Sequence, residues 1–208
     1  MRIRAMWWLC GMPMLALPLM WVAASADEPA KTEAPAAKPA ATAKEVEAGD
    51  IKLSVPDSWK QQQTTSQFRL AQFSIPAAEG DADAGEFYIS PPIGGSPEAN
   101  IGRWVGQFEG DGRELVMSKG KCPQGDYILV QLSGTFKRSI GPPIQQKTKP
   151  APGYKMNGVI LSATKDGKSL GNYFLKLTGP AKTVAASEEA LRASFGADKS
   201  KEEKYELP

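Results

Sequence analysis

Histidine is absent from the 208 residues, and with it go the commonest general base and the commonest metal ligand. Ser-His-Asp and Cys-His constellations cannot be assembled. The two cysteines, Cys10 and Cys122, do not furnish a four-ligand zinc site. Carboxylates remain, and a pair of them could act as a glycosidase-like hydrolase, although no spacing singles out a pair. The densest acidic string, Glu79-Gly80-Asp81-Ala82-Asp83-Ala84-Gly85-Glu86, opens like a calcium loop when counted from Asp81. It then places Gly85 at the third ligand position and Pro92 where a bidentate Glu would close the loop. It reads as a solvated connection, and no metal is expected. Walker A and dinucleotide-type glycine patterns are missing, so no cofactor is expected either.

Cations supply the stronger candidate. The stretch from Lys137 to Tyr154, KRSIGPPIQQKTKPAPGY, gathers Lys137, Arg138, Lys147 and Lys149 among prolines, with Tyr154 at its exit. A connection of this length without apolar periodicity tends to be functional or disordered. These five residues form the candidate binding surface, suited to an acidic partner or a polysaccharide. Trp59, directly after a turn, joins it as a possible aromatic contact. Trp104 falls on an apolar stripe and reads as core. Cys122 reads as a buried, small apolar residue.

The elements that must position these side chains are mostly strands. Ile51 to Val55 alternates strictly and ends at Pro56-Asp57-Ser58. Phe68 to Ile75, Glu86 to Ile89, Leu115 to Met117 and Asp126 to Phe136 follow. Met156 to Thr164 and Ser169 to Thr178 form a hairpin across Lys165-Asp166-Gly167-Lys168, where Asp-Gly supplies the positive φ of a tight turn. Ser96 caps and Pro97 opens a helix whose Ile101, Trp104, Val105 and Phe108 recur at helical spacing. Gly102 within it suggests close packing. A second helix starts near Pro180 or Thr183, carries Val184, Leu191 and Phe195 on one face, and stops at Gly196; Ser187 and Glu188 interrupt its stripe. The expected fold is α+β: a mainly antiparallel sheet of about seven strands flanked by two helices.

Both ends of the chain read differently. Arg2 and Arg4 precede an uncharged run from Ala5 that closes on Ala24-Ser25-Ala26, the pattern of a secretory signal peptide over residues 1–26 with cleavage between Ala26 and Asp27. The alternative is an uncleaved anchor. Bulky residues before Cys10 exclude lipidation there. Removing Arg2 and Arg4 from the 25 Lys and Arg leaves them equal to the 23 Asp and Glu. A neutral chain gives no reason to expect nucleic acid as a partner, and no membrane insertion is expected after cleavage. Cys122 is then alone, so no internal disulfide forms. Residues 27–49 read as a disordered Ala/Pro/Lys-rich linker, 50–196 as a single domain, and 197–208 as a charged, fraying tail.

The stretches VPDSWK, FRLAQFSIP, NIGRWVGQFEGDGR and NYFLKLTGPAKTV, in this order, resemble a group of exported bacterial domains of uncharacterised function. The arrangement also resembles the Mog1/PsbP-like fold, an antiparallel sheet flanked by helices. The resemblance implies an accessory or binding module; with the signal pattern and the missing histidine, the expectation is a non-catalytic module, secreted or periplasmic, that contacts a protein or cell-envelope component. It brings no catalytic residues. A carboxylate-dependent hydrolase and a small-ligand carrier with an apolar cavity are the alternatives.

Overall fold

Apolar residues at every second position build most of the computed structural model, which describes residues 42–64, 66–141 and 147–207. The expected signal peptide, with the expected cleavage between Ala26 and Asp27, and most of the expected linker lie outside the described residues. Strands β1 (Ala43–Ala48) and β2 (Ile51–Pro56) pair antiparallel as a separate two-stranded sheet. Their turn uses Gly49 at φ 64°. The linker expected through residue 49 is therefore corrected over Ala43–Ala48. Glu45 and Glu47 point outward there, Val46 and Ala48 go inward, and Lys44 on their side lays its ammonium 5.4 Å over the Phe73 ring, so composition conceals a strand that its partner supplies.

The main sheet contains β3 (Lys60–Gln62), β4 (Ala71–Ile75), β5 (Gly85–Ser90), β6 (Glu114–Cys122), β7 (Gly125–Ser139), β8 (Thr148–Lys165), β9 (Lys168–Pro180) and β10 (Glu203–Lys204). The spatial order is β10-β6-β7-β8-β9-β5-β4-β3, and every neighbouring pair runs antiparallel. The β8–β9 turn places Asp166 at φ 50° and Gly167 at φ 74°, the double positive φ that matches the twist of a two-residue hairpin. The chain is thus α+β with a mostly antiparallel sheet. Strands β1, β3 and β10 are additions to the expected set. Phe68, expected in a strand, lies in a turn and is exposed.

Helix α1 (Pro97–Val105) is capped by Ser96, whose Oγ accepts from Ala99 N at 3.2 Å. Its Ile101 and Trp104, with Phe108 just beyond, cover Val130, Leu132, Met156, Ile160 and Phe174 on one face of the sheet. Gly158 makes this possible, since a Cβ there would sit 2.5 Å from the Trp104 ring. Gly102 has nothing within 4 Å of its missing Cβ, which corrects the expectation of close packing at that residue. The opposite face holds Phe73, Phe87, Leu129, Leu161 and Leu177 against the β1–β2 hairpin and Leu191 and Phe195.

The expected second helix is two helices, α2 (Ala181–Ala186) and α3 (Glu188–Phe195). Ser187 divides them, its buried Oγ donating to the Thr183 carbonyl at 2.9 Å. A side chain that bonds back to the preceding turn in this way bends or interrupts a helix. Gly196 then ends α3 at φ 80°. The C-terminal tail is not frayed over the described residues. A 3-10 turn (Lys199–Lys201) delivers Glu202 inward and β10 onto β6. The Glu202 carboxylate receives Arg192 Nε at 2.7 Å, Ser118 Oγ at 2.8 Å and Tyr127 Oη at 3.2 Å. Among the described residues, no helix is long and apolar enough to cross a membrane.

Candidate binding cleft

The stretch from Lys137 to Tyr154 is a hairpin arm. Strand β7 runs to Ser139 and β8 starts at Thr148, with Lys137 opposite Pro150, Arg138 opposite Lys149 and Ser139 opposite Thr148. The reading of a long aperiodic loop is corrected accordingly. Prolines are tolerated because β9 pairs with β8 only from Tyr154 onward, so Pro150 sits on an outer edge, where a missing N–H removes no central ladder bond. Lys137, Arg138, Lys147 and Lys149 are exposed on this arm. Tyr154 is buried at its base, its ring stacked on Phe136 at 5.9 Å.

Trp59 does not belong to this surface. It is 3% exposed and its ring packs 5.1 Å from that of Phe87 on the opposite face of the sheet. The turn before it carries it inward, and its role is core packing. Cys122 is half-buried at the edge of the same core, and that burial pushes its thiol pKa up.

Between the base of the arm, the end of α1 and strands β5 and β9 lies a cleft of about 400 Å³. It continues into a hollow of about 160 Å³ through the shared residues Tyr88, Gln107 and Lys176. Its floor is sheet. Tyr88 on β5 pairs with Lys176 on β9, and Glu86 with Thr178; alternation sends all four to the face that α1 covers only in part. Its roof is the chain after α1, stitched to β7 by Lys137 N to Gln107 O at 2.8 Å and Glu109 N to Thr135 O at 2.9 Å. This stitching holds Gln107 over Lys176, whose ammonium donates to Gln107 Oε1.

Most charges around the cleft are matched. Arg69 lies 4.1 Å over the Tyr88 ring and donates to Glu86 Oε1 at 2.8 Å and to Gln72 Oε1 at 2.7 Å. Arg138 donates to Asp83 Oδ2 at 2.8 Å, and Tyr154 Oη donates to the same oxygen at 2.9 Å. The Tyr154 and Arg138 hydrogen bonds hold the Asp83 carboxyl below the usual carboxylate range. Burial raises the phenol pKa of Tyr154, and its bond to Asp83 reinforces the shift. The acidic string thus works as a strap: Asp83 fastens to the arm, while Asp81 Oδ2 accepts from Thr183 N at 2.8 Å and Thr183 Oγ1 at 2.7 Å. Among the described residues no cluster of His, Cys, Asp and Glu is placed to hold a metal.

Lys137, at the exposed rim, and the buried Lys176 are the exceptions; Lys176 is the interior one. Lys176 is 6% exposed, yet no carboxylate of the described residues lies within ion-pair distance of it. Burial lowers its pKa to about 8; Glu86 opposes that shift and Arg69 adds to it. The rings of Phe136 and Tyr88 lie 5.5 and 5.8 Å from Nζ, a partial substitute for water around a cation. Two residues on, Thr178 Oγ1 is buried without a hydrogen-bond partner. A larger hollow of about 490 Å³ beside β2 carries no such groups. Its Gln124 side chain is spent on the Lys52 backbone at 2.8 and 2.7 Å, and its Asp50 contacts Tyr173 Oη at 3.2 Å.

Three of the expected surface residues, Lys137, Arg138 and Tyr154, line this cleft. Lys147 and Lys149 stand farther out on the arm. Lys176, Thr178 and Gln107 were not anticipated. The available signal was parity: Phe174, Lys176 and Thr178 alternate along β9, so they share a face with a residue that packs under α1. Compared with known proteins, the chain matches no protein-family model and no curated protein.

Proposed function

We propose that this chain is an exported, non-catalytic binding module that docks an acidic region of a protein or cell-envelope component on the β7–β8 arm. The observation that carries this reading is the exposure of Lys137, Lys147 and Lys149 on one hairpin, with no carboxylate of the described residues within ion-pair distance of any of them. Unpaired cations on one surface steer and orient an anionic partner. The acids near the cleft, Asp83 and Glu86, are engaged by arginines, which favours binding over carboxylate-dependent hydrolysis. An antiparallel sheet flanked by helices supports placing the domain with the Mog1/PsbP-like fold, whose general mode is partner contact; that analogy is of fold alone.

The test is affinity capture from envelope extract with the wild type and with a Lys147→Glu/Lys149→Glu variant. A partner retained by the wild type, weakened by added salt and lost with the variant supports the reading. The same set of captured proteins with both baits removes it.

A further inference from the structure

A buried ammonium normally has a carboxylate beside it, because desolvation otherwise disfavours the charge. Lys176 has a neutral amide instead. An ammonium carries three donors, and the described structure uses one of them, on Gln107 Oε1. Thr178, next on the same face of β9, presents a second donor with no acceptor. A buried hydroxyl left in this way is a net cost to the folded state. Both side chains line the cleft of about 400 Å³, a volume within the range of small-molecule sites. Glu86, opposite Thr178, is the carboxylate of the cleft wall and is held by Arg69 and Gln72; the two neighbouring donors with unmet capacity describe half of a hydrogen-bonded anion site.

The charge balance limits the ligand. Arg69 is neutralised by Glu86 and Arg138 by Asp83. Lys137 lies at the exposed rim, its ammonium on the Gly106 carbonyl at 3.2 Å. One interior positive charge remains, which matches one negative charge better than the two of a phosphate monoester. The rings of Tyr88 and Phe136 also border the cleft, but their faces are already met by Arg69 and Lys176 and by Tyr154 and Lys176 respectively.

We propose that this cleft binds a small monocarboxylate, its carboxylate held by Lys176 Nζ and Thr178 Oγ1. The site goes beyond macromolecular docking on the arm and does not depend on it.

Benzoate is the probe, with benzamide and inorganic phosphate as controls, read by thermal shift and isothermal titration at pH 7 on the protein freed of its signal sequence. A ligand that binds only the folded state raises the melting temperature. The expected result is stabilisation by benzoate alone. Lys176→Met keeps an apolar stem of similar length and leaves the core closed; it is expected to fold and to lose benzoate affinity tenfold or more. Thr178→Val is expected to weaken it several-fold. Lys147→Glu/Lys149→Glu should bind benzoate as the wild type does, so that failure of the docking reading and failure of this one are separable. No response to millimolar benzoate overturns the proposal. So do an equal response to benzamide or phosphate, and undiminished binding by a folded Lys176→Met variant.

Discussion

Two cations are buried to the same degree on opposite faces of one sheet, Arg192 at 5% and Lys176 at 6% exposure. Their surroundings differ completely. Arg192 meets Glu202 through Nε at 2.7 Å and Nη2 at 3.2 Å, with Glu188 at 3.7 Å beyond. Ser118 and Tyr127 supply the remaining donors to Glu202. Burial acts to raise the Glu202 pKa, but these donors outweigh it and hold the carboxyl below its usual value. Lys176 has an amide, two aromatic faces and a cavity. A closed network fixes the fold, whereas an open one leaves part of the desolvation cost of its charge uncompensated.

The largest effect should come from opening the closed network. Arg192→Met leaves Glu202 buried with its strongest donors gone, and urea denaturation at pH 7 should show a loss of about 3–5 kcal/mol. An Arg192→Met/Glu202→Leu double variant should recover much of it, because no charge is then stranded. The Glu202 contribution has a defined pH window. Its folded pKa lies below the unfolded one, so the stabilisation is complete above the ordinary carboxylate range and disappears as pH falls through the folded value. Equal losses in the single and double variants would contradict the account of Arg192.

Lys176→Met should act in the opposite direction, stabilising the free protein by up to about 3 kcal/mol at neutral pH. With a folded pKa of about 8 against an ordinary 10.5, the folded chain bears the full burden of the buried charge below pH 8. Above that, the folded state releases its proton before the unfolded state does. Wild-type stability therefore gains on the variant between about pH 8 and 10.5, and the advantage of Lys176→Met shrinks across that window. Melting curves of both proteins at pH 7 and pH 9.5 provide the measurement, and an advantage independent of pH would break the contrast. The smallest effect is expected of Thr178→Val, which removes an unpartnered hydroxyl and should stabilise by up to about 1 kcal/mol in calorimetry. Destabilisation there would mean that the hydroxyl already has a partner.

The scaffold was legible where the pattern was periodic. Ala71, Phe73 and Ile75, Phe87 and Ile89, and the Ile101-Trp104-Phe108 stripe all turn inward as their spacing requires. It was illegible where the deciding partner lay far away in sequence. Glu202 reads as one more charge in a polar tail, and only the meeting with Arg192, Ser118 and Tyr127 makes it an interior residue. Val46 reads as linker until β2 covers it. Pro150 and Pro152 suppress a strand reading of an arm that forms at the sheet's edge. Lys176 sits in an apolar run where a lone lysine suggests the wet side of a strand, and the far end of α1 decides otherwise.

The two edges of the main sheet end differently. Strand β3 is short, with Lys60, Gln61 and Gln62 all exposed, a side that offers little to another chain. On the other side β10 pairs with β6 at Ser118 and Lys119, and Tyr205 N adds a bond to Met117 O at 3.0 Å, beside a stretch in which Val116 is 61% exposed. That short cover follows directly on Glu202. The ion pair with Arg192 therefore guards colloidal behaviour as well as the fold: it pins the strip of backbone that keeps an aggregation-prone edge from templating on a neighbouring molecule.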